Sequence, residues 1–88
     1  MAQMRPSSNV LTRELGEEIV LMDLGSEKYF SLNETGTVVW SLMADGADLD
    51  FIAQQLSVRF DIDELKAMAD VVSLLEHFQS AGLISTSD

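Results

Sequence analysis

The stretch KYFSLNETGTVVWSL, residues 28–42, contains the change of hydrophobic period that decides the fold. Its first five residues alternate as in a half-buried β-strand. From Asn33 onward the apolar residues recur at helical spacing, and Asn is a favoured helix N-cap. The stretch therefore marks the border between a layer of strands and a layer of helices.

Two further strands are predicted upstream of this border. Residues 10–14 can form a short strand, and residues 18–24 (EIVLMDL) are rich in β-branched and apolar side chains. Turn signals at Gly16 and at Gly25-Ser26 separate the three strands. The sequence therefore predicts a three-stranded antiparallel meander.

Three helices are predicted downstream of the border. The first follows Asn33 and ends at Asp45-Gly46. The second is capped by Asp48, and the third starts at residues 61–63 and stops at Gly82. The order βββααα is an α+β fold that is similar to a winged helix-turn-helix.

The chain is long enough for one small domain. We expect this domain to span residues 10–84, with a short extended piece at Leu83-Ile84. Residues 1–9 are expected to be a flexible lead-in, and residues 85–88 a C-terminal tail.

The third predicted helix is apolar over about half of its circumference, although a stripe of roughly 100° would suffice for packing on one layer. The excess lies on the flank formed by Ala67, Val71, Leu74 and Phe78. Two interpretations remain open: the other two helices cover this flank, or it forms an open groove for a partner.

The charge balance bears on the possible partners. Fifteen acidic residues against five Lys and Arg give a net charge of −10. Because Lys and Arg supply most of the affinity for phosphates, we expect no nucleic-acid partner and no anionic membrane. The apolar stretches are too short to span a bilayer and the first residues do not form a signal peptide, so a cytoplasmic location is expected.

Side chains suited to catalysis or metal binding are scarce. The sequence has no Cys, and its one histidine, His77, falls on the polar face of the third helix. The acidic groups Asp48/Asp50 and Asp61/Asp63 do not follow the calcium-loop pattern and lie where helix caps belong. We therefore expect no enzyme activity, no metal and no cofactor.

A DNA-binding winged-helix regulator remains the alternative from another functional class. The third helix would then read the bases, but it offers Lys66 against Asp70 and Glu76 and carries no Arg for guanine.

An ordered set of short motifs runs through residues 10–84. The motifs are Val10-Leu11-Thr12-Arg13, Glu18-Ile19-Val20-Leu21 with Asp23, Tyr29-Phe30-Ser31-Leu32-Asn33-Glu34-Thr35-Gly36, Val39-Trp40-Ser41-Leu42, Asp45-Gly46, Ile52-Ala53 with Leu56 and Phe60, Asp70-Val71 and Ala81-Gly82-Leu83-Ile84. Together they resemble the PqqD-like family of RiPP recognition elements. These proteins bind the leader peptides of ribosomally synthesised and modified peptides.

Within that family, the chain resembles the free-standing elements of lasso-peptide biosynthesis. The protein of pyrroloquinoline quinone synthesis carries a Pro-Glu-Gly segment before the third strand and a Cys before the Asp-Gly pair. Those places here hold Gly25-Ser26-Glu27 and Ala44. A PqqD-like partner of a radical SAM peptide-modifying enzyme is the alternative.

The resemblance implies a non-catalytic peptide chaperone that hands a precursor to a separate leader peptidase or modifying enzyme. The leader would add as a strand to the edge of the third strand and place apolar side chains against the third helix. Lys28 and Asp70 would fix polar or charged leader residues at the rim. The expected peptide-binding residues are Lys28, Tyr29, Phe30, Ser31, Leu32, Ala67, Asp70, Val71, Leu74, Leu75 and Phe78.

Two apolar residues of the second helix, Phe51 and Val58, lie seven apart and off its main stripe. We expect them to pack under the N-terminal strand. Alternatively they form a docking patch for the processing enzyme, or a dimer contact, although a monomer is favoured.

Overall fold

The computed structural model describes residues 3–87. Its elements in chain order are β1 (Gln3–Pro6), β2 (Val10–Leu15), β3 (Glu18–Asp23), β4 (Lys28–Leu32), α1 (Glu34–Ala44), α2 (Leu49–Phe60), α3 (Glu64–Ser80) and β5 (Ile84–Ser87). Strands β2, β3 and β4 form an antiparallel sheet in that order, and the three helices follow it. This confirms the predicted α+β architecture.

A second, two-stranded sheet joins the two ends of the chain. Strand β1 pairs antiparallel with β5, from Gln3 opposite Ser87 to Pro6 opposite Ile84. Residues 1–9 were predicted to be a flexible lead-in and residues 85–88 a tail, whereas the structure has a strand in each of these segments. Residues 1, 2 and 88 lie outside the described range. Neither segment shows a clear strand alternation in its sequence. The two strands pair through backbone groups, and Met4 of β1 and Ile84 of β5 pack on the core.

The sheet register determines which backbone groups of β4 point outward. Ile19 of β3 lies opposite Leu32 of β4. The Ile19 N–H donates to Thr37 Oγ1 (3.2 Å), and the Thr37 hydroxyl donates to the Leu32 carbonyl (3.4 Å), so the Ile19 amide is directed toward β4. Because backbone groups alternate in direction along an antiparallel strand, those of Tyr29 and Ser31 point away from β3.

Side-chain caps fix where α1 and α2 begin. The side-chain oxygen of Asn33 accepts a hydrogen bond of 2.8 Å from the Gly36 N–H, and that of Asp48 accepts one of 2.8 Å from the Phe51 N–H. Both caps were predicted. Helix α3 begins after Asp63, which makes no such bond. Asp61, predicted to open α3, instead ends α2 in the left-handed conformation with φ of 52°.

The hydrophobic core lies between the inner face of the sheet and the three helices. Strand β3 contributes Ile19 and Leu21, and α1 contributes Trp40 and Met43. The other buried apolar residues are Leu32, Val39, Ile52, Ala53, Leu56, Ala67, Val71, Leu75, Phe78, Leu83 and Ile84. Helix α3 is therefore held against the rest of the domain along its whole length.

Candidate functional site

A cleft of about 680 Å³ lies between β4 and the C-terminal half of α3. This volume falls within the range of roughly 300–1,000 Å³ that is usual for ligand sites. Strand β4 lines it with Tyr29, Phe30, Ser31 and Leu32, and the rest of the lining consists of Leu74, His77, Phe78, Ser80, Ala81 and Leu83. The cleft therefore joins a sheet edge to an amphipathic helix.

The strand wall of the cleft has an available backbone edge. Within residues 3–87, β4 pairs only with β3. The outward N–H and C=O groups of Tyr29 and Ser31 are therefore positioned to pair with an added strand. The side chains of Phe30 and Leu32 lie on the inner face of the sheet and pack on the core, whereas the Tyr29 side chain is 69% exposed.

The helix wall of the cleft has two apolar residues with different degrees of burial. Leu74 is half-buried, and Phe78 is only 4% exposed although it also lines the cleft. Leu74 is therefore the more accessible apolar contact, whereas Phe78 belongs to both the cleft and the core.

The open part of the predicted α3 flank is confined to Leu74 and Phe78. Ala67 and Val71 are fully buried, so the interpretation in which this flank is covered is correct for them. Leu75 is also a core residue and does not line the cleft. Of the two interpretations left open, the covered flank therefore describes Ala67 and Val71, and an open groove is found only beside Leu74 and Phe78.

The exposed apolar excess lies on the opposite flank of α3. Leu65 is 82% exposed and Val72 is 37% exposed. Met68, on the same flank, faces α2 beside Ala53. The helical wheel shows the width of an apolar stripe, but it does not show which edge of the stripe the neighbouring elements leave uncovered.

The two predicted rim residues lie outside the cleft lining. Lys28 is exposed at the start of β4, and Asp70 is half-buried on α3, one turn before Leu74. Their contact with a peptide stays a prediction.

Four lining residues were missed by the sequence analysis as site residues: His77, Ser80, Ala81 and Leu83. The turn after α3 brings Leu83 to the cleft, because Gly82 adopts a positive φ of 76° and the Leu83 N–H donates to the Phe78 carbonyl (2.9 Å). The Ala81-Gly82-Leu83 motif was a signal for this turn, but it was interpreted only as a helix end.

Phe51 and Val58 lie on the outer face of α2. They are 45% and 74% exposed, so the expectation that they pack under the N-terminal strand is wrong. Their role as a docking patch or a dimer contact stays a prediction.

The described part of the chain shows neither a metal-binding cluster nor a membrane-spanning helix. Residues 3–87 contain no group of three or more His, Cys, Asp or Glu side chains that could hold a metal ion. No helix in that range has the length and hydropathy needed to cross a membrane.

The fold and the cleft define a small winged-helix-like α+β domain with an open site beside a sheet edge. The family model described as coenzyme PQQ synthesis protein D (PqqD) matches residues 18–84. The chain therefore belongs to the PqqD family. A comparison with curated proteins found no significant match.

Two solved structures share this fold. One is TbiB1 in complex with the TbiA(beta) leader peptide, with a TM-score of 0.87 and 23% identity over 92% of this chain and 94% of that one. The other is lasso peptide synthetase B1 complexed with its leader peptide, with a TM-score of 0.89 and 22% identity over 94% and 98% of the two chains.

Proposed function

We propose that this protein is a non-catalytic module that binds the leader of a ribosomally synthesised precursor peptide. The observation that carries the proposal is the cleft between the available edge of β4 and Leu74 and Phe78 of α3. A peptide strand paired with this edge would place alternate side chains into the cleft, which is the geometry of β-strand addition.

The energetics fit such a complex. Backbone hydrogen bonds to Tyr29 and Ser31 supply affinity with little demand on leader sequence, and an apolar leader side chain against Leu74 and Phe78 adds selectivity. A micromolar complex requires about −8 kcal/mol, which a short strand with one or two apolar anchors can supply.

We further propose that the protein serves lasso-peptide biosynthesis and delivers the precursor to a separate leader peptidase. Both similar structures are described as complexes with leader peptides, and one is a lasso peptide synthetase B1. The residues at 25–27 and Ala44, which differ from the pattern of the pyrroloquinoline quinone protein, also support this assignment.

The binding step is tested by titrating the protein into a fluorescently labelled leader peptide of the precursor encoded beside it. Saturable binding at micromolar or lower concentration is expected, and a scrambled peptide of the same composition is the control. Equal binding of both peptides, or no saturation, contradicts the proposal.

The delivery step needs a separate measurement. The neighbouring leader peptidase should cleave the precursor faster when this protein is present, and a Leu74→Asp variant should remove the acceleration. Unchanged cleavage in the presence of a protein that binds the leader would contradict delivery but not binding.

A further inference from the structure

The cleft differs in charge from the rest of the surface. The chain carries fifteen acidic residues, yet none of those within residues 3–87 lines the cleft. His77 lines it, together with the neutral polar residues Tyr29, Ser31 and Ser80. An anionic group of a ligand therefore meets no carboxylate among the lining residues of the cleft and one imidazole.

The imidazole of His77 is placed to act on a ligand in the cleft. It is exposed on α3, three residues after Leu74 and thus on the same side of the helix. The helix-end carbonyls beside it are already occupied, since Ala81 N–H donates to the His77 carbonyl (3.0 Å) and Leu83 N–H to the Phe78 carbonyl (2.9 Å). Asp70, on the same side, is two turns away, about 10 Å along the axis.

A peptide strand added to β4 needs something that fixes its register. Backbone pairing is nearly the same in every register, and a slip of one residue shifts the strand by about 3.3 Å and turns all its side chains to the other face. The apolar contacts at Leu74 and Phe78 tolerate different aliphatic or aromatic side chains. One charged contact in an otherwise neutral cleft would distinguish the registers.

We propose that His77 selects leaders with an acidic residue and fixes their register by pairing with its carboxylate. This inference rests on the proposed leader-binding function. The imidazole N–H of His77 would donate a hydrogen bond to the leader carboxylate, and a hydrogen bond to a charged acceptor is stronger than one between neutral groups. The substrate class is therefore a leader with an Asp or Glu near its apolar anchor.

The test combines variants of the protein with a scan of the leader. Each acidic residue of the leader is changed in turn to its amide, and binding is measured to the wild-type protein and to His77→Gln. One leader position should lose about three- to fivefold in affinity with the wild-type protein, the size expected of a partly exposed ion pair. With His77→Gln, that loss should disappear.

A charge reversal gives a second readout with a matched control. His77→Glu should weaken the native leader about tenfold, and a leader with Lys at the coupled position should recover binding to this variant. Gln79→Glu places the same charge on an exposed α3 position outside the cleft and should leave affinity unchanged. Circular dichroism of both variants checks that folding is retained.

Several outcomes would overturn the inference. One is tight binding of a leader with no acidic residue, and another is the absence of any leader position coupled to His77. Equal losses of leader affinity in His77→Glu and Gln79→Glu would show that the added negative charge acts through long-range repulsion and not through a contact at His77. If the His77 variants bind the leader normally and Leu74→Asp does not, the leader-binding proposal is retained and the role of His77 is rejected. If the wild-type protein does not bind the leader, the leader-binding proposal and the role of His77 are both rejected.

Discussion

The rings of Trp40 and Phe78 meet edge to face, with centroids 5.4 Å apart and planes at 89°. Trp40 lies on α1 and Phe78 on α3, so the contact ties the two helices together beneath the cleft. Aromatic pairs prefer this arrangement and gain about 0.5–1.5 kcal/mol from it beyond burial. One ring therefore serves as a cleft wall on one side and a core contact on the other.

Phe78→Ala should consequently act mainly on stability. Loss of a buried Phe costs about 3–5 kcal/mol, a large share of the stability of a domain this small. Thermal or denaturant unfolding should show the loss directly, and Phe78→Leu should lose less. An alanine variant that unfolds like the wild type would mean that Phe78 is not a core residue.

Leu74→Asp should separate binding from folding. Leu74 is half-buried and lines the cleft, so a carboxylate there should weaken leader binding about tenfold or more, roughly 1.4 kcal/mol per tenfold. Val72→Asp is the matched control, because Val72 lies on the same helix but on the flank away from the cleft. Comparable losses of affinity in both variants would show that the cleft is not the binding site.

Ser31→Pro should abolish leader binding because it removes an outward N–H from the free edge of β4. Thr12→Pro makes the same change on the opposite edge, where Thr12 pairs with Leu21 and its amide also points outward. Only the β4 variant should lose binding, and Ser31→Ala should bind nearly normally. Amide exchange at Tyr29 and Ser31 should slow when the leader is added. Slower amide exchange on β2 instead of β4 would place the peptide at the opposite edge of the sheet and contradict the prediction.

Thr37→Val should lower the free energy of unfolding by about 1–3 kcal/mol. The hydroxyl of Thr37 bridges the Ile19 amide and the Leu32 carbonyl, and without it both backbone groups lose their partner at a part-buried position. Thr37→Ser keeps the hydroxyl and should unfold much closer to the wild type in urea. Equal losses in the two variants would mean that the hydroxyl contributes no more to stability than the packing of the methyl group.

Asp61→Gly should stabilise the domain by about 0.5–1 kcal/mol, since Asp61 holds a left-handed conformation that glycine adopts without a Cβ penalty. The midpoint of thermal unfolding should rise by about 2–8 °C for a chain of this length. Asp48→Ala, which removes a capping bond from α2, should shift it downward by a similar amount. A lower midpoint for Asp61→Gly would contradict the prediction.

Local signals in the sequence were sufficient for most of the fold. The change of period at Asn33 and the cap at Asp48 each act within a few residues of where they lie, and both appear in the structure as predicted. The pairing of β1 with β5 could not be predicted in the same way, because it joins segments about eighty residues apart in the chain through backbone groups, which leave no signal in the side chains.

Only part of the candidate site could be predicted, because its helix wall also depends on contacts between distant parts of the chain. The alternating pattern predicts the strand at residues 29–32, the family resemblance proposes it as a peptide edge, and all four residues line the cleft. The helix residues required knowledge of which element lies beside each flank of α3: α2 lies beside Met68, and β4 lies across the cleft from Leu74. His77 was classed by its polar position on the wheel, which does not show that a sheet edge lies beside it.

The pairing of β1 with β5 also determines how this domain would behave when tethered. Gln3 and Ser87 lie opposite each other, and β5 starts one residue after Leu83 of the cleft. A second protein attached by a short linker at either end would therefore be held on the same side of the domain as β5, which follows the cleft residue Leu83. Flexible linkers of this kind give effective concentrations in the millimolar range. Covalent attachment of an enzyme would then make a separate docking interface unnecessary.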